Sequence, residues 1–344
     1  MNFLIRADAS FEIGTGHVIR CIALGQMLSE EKHNVIFVTN SSQQKVIDRI
    51  ANEKFKVIKI TEYDNLLKDS EYTAKYAKNN EIDLVITDGY KFETEYQTII
   101  KNYGLKLMCI DDIAKCHYVS DYILNQNINA EKIFKYSCEN YTKLFLGLRY
   151  VLLRREFREL RGWRRSLKNE CKNILITMGG SDENNNTLKV LKAFEKNDTK
   201  LSIKTLLGFT NVYIDSILNY MKESKHSIEV VQNSNNVVSL IKWCDLAVSA
   251  SGSTVWELLK LNTPIVTGFT VENQIAINEQ LKEKELAYSI GDINNIEIEE
   301  LSNKLINVIS DSGIREKLFM TVKNIFIKHK MLSVIPEICS NLKG

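Results

Sequence analysis

Three short stretches hold the residue types that could do chemistry: Gly14-Thr15-Gly16-His17, Met178-Gly179-Gly180-Ser181-Asp182, and Ser249-Ala250-Ser251-Gly252-Ser253-Thr254-Val255-Trp256-Glu257. In each, glycines and small hydroxyl residues separate an apolar run from an amphipathic one. Backbone N–H groups at such turns can approach an anion closely, and a following helix adds positive partial charge. His17 stands where the first helix should begin. Such a position disfavours an imidazolium and so favours a ring able to accept a proton. The alternative is a polar helix-start residue that bonds the turn. Asp8, closing the first apolar run, would orient that ring, bind a sugar hydroxyl, or serve as a plain turn carboxylate. Glu257 follows Ser253 by one helical turn, so its carboxylate could flank the same ligand and suits the two hydroxyls of a ribose. Otherwise it is a solvated helix residue.

Other chemistries lack their residues. The dinucleotide pattern G-x-G-x-x-G fails at its third position, Ile19, and the second apolar run ends in Thr39-Asn40 with no carboxylate. No P-loop G-K-[ST] and no G-x-S-x-G elbow occurs. There is no D-x-D, and adjacent Asp111 and Asp112 on a strand would face opposite sides, binding a turn rather than sharing an ion. Neither metal nor cofactor is expected. His33, His117, His226 and His329 are dispersed and read as surface residues.

The elements that must position these turns alternate. Strands are expected at 2–7, 34–39, 55–60, 83–88, 105–111 and 121–127, with helices at 17–31, 42–53, 64–79 and 92–103. A second series begins with strands at 173–178, 201–207, 227–232, 245–250 and 264–269. Its helices are expected at 184–195, 211–223, 235–243, 253–261, 273–285, 297–310 and 313–328. This alternation predicts βαβ units with parallel sheets, hence an α/β chain of two doubly wound, Rossmann-like domains facing a cleft. The basic run 149–170 reads as a solvated linker and helix, which places domains at 1–168 and 169–344. The last helix, about 331–342, is expected to pack back on the first domain.

The bulk numbers bound the class. The 344 residues are 44% hydrophobic and 26% charged, with a formal charge of +2, which gives no reason to expect a nucleic-acid partner. Seven scattered cysteines without a C-x-x-C pair read as reduced thiols. No apolar run approaches a membrane span, and Arg6 and Asp8 interrupt any leader. A cytoplasmic protein without stable membrane association is expected, with a monomer favoured.

The chain resembles the PseG family of UDP-sugar hydrolases in pseudaminic acid biosynthesis, which share the GT-B fold with MurG-type glycosyltransferases. The resemblance rests on R-x-D-x-S-x-x-I-G-x-G-H from Arg6 to His17, Asp88-Gly89-Tyr90, Asp111-Asp112, and G-x-x-Y-x-L-x-R-x-E-F from Gly147 to Phe157. It continues through residues 178–182, 249–257 and Glu272-Asn273-Gln274. It implies metal-independent, inverting hydrolysis of UDP-2,4-diacetamido-2,4,6-trideoxy-β-L-altropyranose. In that reading His17 activates the water, and Tyr90 and Asn273, with Gln274 adjacent, line the sugar pocket. Arg154 contacts the substrate and Glu257 takes the ribose. Gly14, Gly16, Gly179, Gly180, Ser181, Ser251, Gly252 and Ser253 supply the turns, and Asp8 joins the binding set. The alternative is a MurG-like UDP-sugar glycosyltransferase. Some relatives are fused to an acetyltransferase domain; none is expected after the final helix here.

Overall fold

The computed structural model describes residues 1–11, 13–60, 65–160, 162–208, 210–232, 234, 236–328 and 332–343. The chain divides into two compact units. The first comprises Met1–Ser10, His17–Arg155 and Lys330–Gly344; the second comprises Phe11–Gly16 and Glu156–His329.

The first unit is built on strands β1 (Asn2–Ala7), β2 (Asn34–Thr39), β3 (Lys56–Lys59), β4 (Leu84–Asp88) and β5 (Leu107–Ile110). Short β6 (His117–Tyr118), β7 (Tyr122–Asn125), β8 (Ser137–Cys138) and β9 (Lys143–Leu146) follow. Seven of them form one sheet in the order β3-β2-β1-β4-β5-β7-β9, while β6 pairs β8 apart from it. Every pairing is parallel. Strands covered on both faces read as near-continuous apolar runs, and β4 and β5 are buried along their whole length. The helices Gly16–Glu30 and Ile335–Lys343 contribute to one core beside β1, through Val18, Ile22, Leu24, Ile335 and Ile338.

The second unit holds β10 (Asn173–Thr177), β11 (Ser202–Leu207), β12 (Ser227–Gln232), β13 (Leu246–Ala250), β14 (Ile265–Phe269) and β15 (Tyr288–Asp292). Their order is β12-β11-β10-β13-β14-β15, again all parallel. Strand order reverses beside β1 and β4 in one sheet and beside β10 and β13 in the other. The carboxyl ends at such a reversal are where α/β sheets leave an open crevice. Asp88 ends β4, Gly179 follows β10, and Ser251 follows β13.

Three expectations need correction. β9 and β15 were not expected; β15 includes Gly291 at φ +77° and lacks an apolar run. The run 149–170 is no solvated linker, since Val151, Leu152, Leu153, Arg154 and Phe157 are buried. Arg165 in that run donates to the carbonyls of Leu261 (3.0 Å), Cys244 (2.6 Å) and Ile241 (2.6 Å) and to Thr263 Oγ1 (2.9 Å). His226 is not a surface residue: it is buried, with Nδ1 accepting from Leu201 N and Nε2 against Phe194 O. His117 is exposed and His33 partly buried, while His329 lies outside the described residues. None of the seven cysteines is in a disulfide. Among the described residues no helix is long and apolar enough to cross a membrane.

Arg165→Ala should lower stability by about 2–4 kcal/mol, because it strips partly buried carbonyls of a charged donor. Urea unfolding measures this, and a loss under about 0.5 kcal/mol would show that water replaces the guanidinium.

Candidate functional site

In the first unit the site begins with the Asp88 carboxylate, fully buried at the end of β4. Its Oδ1 lies 2.6 Å from His17 Nδ1. Arg20 grips it with a two-pronged fork, Nε to Oδ2 and Nη2 to Oδ1, both 2.6 Å. Cys21 Sγ donates to Oδ2 at 3.4 Å. Positions 17, 20 and 21 share one face of the helix Gly16–Glu30, which is how one carboxylate meets all three. Burial raises the Asp88 pKa, but the Arg20 charge and then His17 outweigh it and hold the carboxyl at about 2.

An ionised carboxylate only accepts hydrogen bonds, so the His17 Nδ1 that faces it carries a hydrogen. Arg20 Nη1 reaches on to Asp112 Oδ2 at 2.6 Å. The Tyr90 ring meets the imidazole edge-on, centroids 4.8 Å apart at 80°. Burial and the Asp112 carboxylate push the Tyr90 phenol well above its usual range, which keeps it protonated.

The carboxylate on the ring is therefore Asp88 and not Asp8. Asp8 is bound by Arg6, by Lys91 Nζ (2.6 Å), by Asn40 N (2.6 Å) and by Thr39 Oγ1 (3.2 Å). Burial opposes its ionisation, yet Arg6 and Lys91 hold it well below the carboxylate range. Arg6 also forks onto Asp69, to which Tyr96 OH donates at 2.8 Å. Asp111 does bind a turn, accepting from Ile113 N (3.0 Å) and Ala114 N (2.8 Å). Arg154 is buried in this unit.

In the second unit Asp182 rather than Ser181 is buried. Its carboxylate accepts from Asn186 N (2.7 Å) and Thr187 N (2.9 Å), fixing the start of the helix Asn186–Phe194. Burial raises its pKa to about 6 against the pull of those bonds. Ser251 is fully buried: its hydroxyl donates to Gly268 O (3.0 Å), pairs with Thr267 Oγ1 (3.0 Å) and accepts from Asn278 Nδ2 (2.9 Å). That side chain holds the turn together, while Gly252 and Ser253 remain partly open. Glu257 is buried, which excludes the solvated alternative. Gln274 Oε1 accepts from Thr270 N at 3.0 Å, and Gln274 Nε2 lies near Gly252; Asn273 is partly buried beside it.

The loop Phe11–Gly16 falls with this second unit. A Cβ on Gly14, whose φ is +67°, would lie 3.8 Å from Ser181 Oγ, and one on Gly16 3.7 Å from Ser253 Oγ. Gly180 leaves no space at all: a Cβ there would collide with Thr15, 2.7 Å from its N. The three small-residue turns thus form one neighbourhood. Gly208 completes it, approaching Gly180 so closely that a Cβ would stand 2.5 Å from Gly180 Cα.

Asn294 ties the turns from behind, accepting from Asn186 Nδ2 (2.9 Å) and donating to Thr270 O (2.8 Å). Sequence reasoning missed Arg20, Asn294 and Gly208 and gave Asp88 and Asp112 no role in the site. Arg20 alone had a local signal, its i+3 spacing from His17. Among the described residues no three His, Cys, Asp or Glu side chains gather to hold a metal.

Both units, with their parallel sheets, have the architecture of GT-B proteins. The chain matches Acinetobacter baumannii MurG at a TM-score of 0.63, with 14% identity and 99% of each chain covered. It matches Staphylococcus aureus MnaA, solved with UDP, at 0.65, with 12% identity over 94% of this chain and 95% of that one. Residues 168–330 match the glycosyltransferase family 28 C-terminal domain.

By sequence the chain is a homologue of the PseG hydrolases. It is 26% identical to the Campylobacter jejuni UDP-2,4-diacetamido-2,4,6-trideoxy-beta-L-altropyranose hydrolase over 80% of this chain and 93% of that protein. It is 24% identical to the Bacillus subtilis spore coat polysaccharide biosynthesis protein SpsG over 92% of both. The uncharacterized protein MJ1062 of Methanocaldococcus jannaschii is 34% identical over 80% of this chain, which spans 57% of that relative's length.

The raised Asp182 pKa carries a sign. Its folded value of about 6 exceeds the usual 3.8, so its contribution is fully present below pH 4 and is lost as pH rises through 6. Relative to Asp182→Asn, which cannot titrate, the parent should lose about 3 kcal/mol of stability between pH 4 and pH 8. Urea midpoints of both at the two pH values test this; a pH-independent difference would mean that Asp182 is not desolvated as described.

Proposed function

We propose that this protein hydrolyses UDP-2,4-diacetamido-2,4,6-trideoxy-β-L-altropyranose to UDP and 2,4-diacetamido-2,4,6-trideoxy-L-altrose, with inversion and without a metal ion. The observation that carries the reading is the His17–Asp88 bond: a ring fixed with its proton on Nδ1 presents Nε2 as a base. Water gives a proton to Nε2 as its oxygen bonds the anomeric carbon, and the bond from that carbon to the UDP oxygen breaks. We assign Tyr90, edge-on to the ring, and Arg154 to substrate contacts made by the first unit, and Asn273 and Gln274 to sugar binding by the second.

Backbone N–H groups at Gly179–Ser181 and Gly252–Ser253 meet the charge of the departing diphosphate, the kind of preorganised stabilisation that lowers such barriers most. Gly180, which has no room for a side chain, lets the loop that carries Gly14 and Gly16 lie against those turns; Ser251 braces them, and Glu257 takes the ribose. The C. jejuni relative bears the name of this hydrolase, which supports the choice of sugar. Asp8, held by Arg6 and Lys91, is assigned to the binding set as well.

A second reading, transfer of the sugar to an acceptor as in MurG-like enzymes, is favoured by the family 28 match over 168–330. The experiment supplies the UDP-sugar in oxygen-18 water, with EDTA and no acceptor. The proposal expects UDP release with the label on the sugar, and a His17→Gln variant slowed by about 100-fold or more while still binding UDP. Label on UDP would move the attack to phosphorus, and no turnover would favour the transferase.

A further inference from the structure

Arg20 does more than neutralise a buried carboxylate. Its Nη2 stands 3.1 Å from His17 Nδ1 while donating to Asp88 Oδ1 at 2.6 Å. The same guanidinium both shares the carboxylate with the ring and sets a positive charge against it. Behind it, Nη1 is anchored on Asp112, so one cation answers two carboxylates within a buried cluster. Around the ring the described groups are Arg20 and Cys21 on its own helix, Asp88 and Tyr90 at the end of β4, and Asp112 after β5.

A buried Asp88 facing only an imidazole would draw a second proton onto the ring, since one ion pair is better than an uncompensated charge. A ring already protonated cannot act as base. We propose that Arg20, anchored by Asp112, is a positioning residue that sets both the protonated nitrogen of His17 and the pH at which its other nitrogen is free. This rests on the reading of His17 as the base.

The two partners should move the activity in opposite directions. Arg20→Gln leaves two carboxylates without a cation, so the acidic limb of kcat/KM should rise by about one to two pH units. Asp112→Asn removes a negative charge and should move that limb the other way. The ring carbon resonance of His17, titrated by NMR without substrate, should follow the same shifts.

A uniform loss of rate with both limbs and the resonance unmoved would make Arg20 merely structural and overturn the proposal. If Arg20→Gln does not fold, the direction of the Asp112→Asn shift decides alone. If His17→Gln keeps full activity the hydrolase mechanism fails, whereas the NMR titrations still report whether Arg20 governs the ring.

Discussion

A carboxylate taken out of water has to be met by donors, and breaking such a pair typically costs about 3–5 kcal/mol. In the first unit that carboxylate is Asp88, and much of its surroundings follows from satisfying it. The helix Gly16–Glu30 turns His17, Arg20 and Cys21 toward it, and Arg20 in turn draws in Asp112 from the end of the next strand. The histidine is therefore held by the strongest electrostatic constraint in its neighbourhood rather than placed on a free loop. A neighbouring cluster around Arg6 is built the same way, with Asp8 and Asp69 sharing one buried guanidinium. Both cation–carboxylate clusters lie at the carboxyl ends of this sheet's strands, Arg6 near the end of β1 and Asp88 at the end of β4.

The second unit relies on a different constraint, close backbone approach. Gly180 and Gly208 touch, Thr15 fills what remains, and any side chain at Gly180 would push the loop Phe11–Gly16 away. Around this contact polar side chains bond to one another, Ser251 to Thr267 and Asn278 and Asn294 to Asn186, and Asn294 also donates to the Thr270 carbonyl. Small residues keep the backbone N–H groups accessible, while the buried hydroxyls and amides stop the turns from collapsing.

Much of the fold was legible because buried parallel strands are written as apolar runs of strand length with helix-length spacing between them. β15 was not, since its pairing with β14 depends on context and not on its own residues. The turns were legible as clusters of glycine and serine. Their internal logic was not: nothing in the spacing of Ser249–Ser253 marks Ser251 as the buried brace and Ser253 as the open residue. The ring partner of His17 was the hardest to read. Asp8 is nine residues away in the chain and Asp88 is 71, and only the pairing of β1 with β4 decides between them. Asp8 is already occupied by Arg6 and Lys91, a competition between non-local charges that no local pattern records.

The most direct test of this account is a long-range proton–nitrogen NMR correlation on the His17 imidazole of the unmodified protein at neutral pH. The account predicts a proton on Nδ1, donated to Asp88, with Nε2 bearing the lone pair. A ring protonated on Nε2, with Nδ1 accepting from Arg20, would contradict it and remove the base on which the proposed hydrolysis depends.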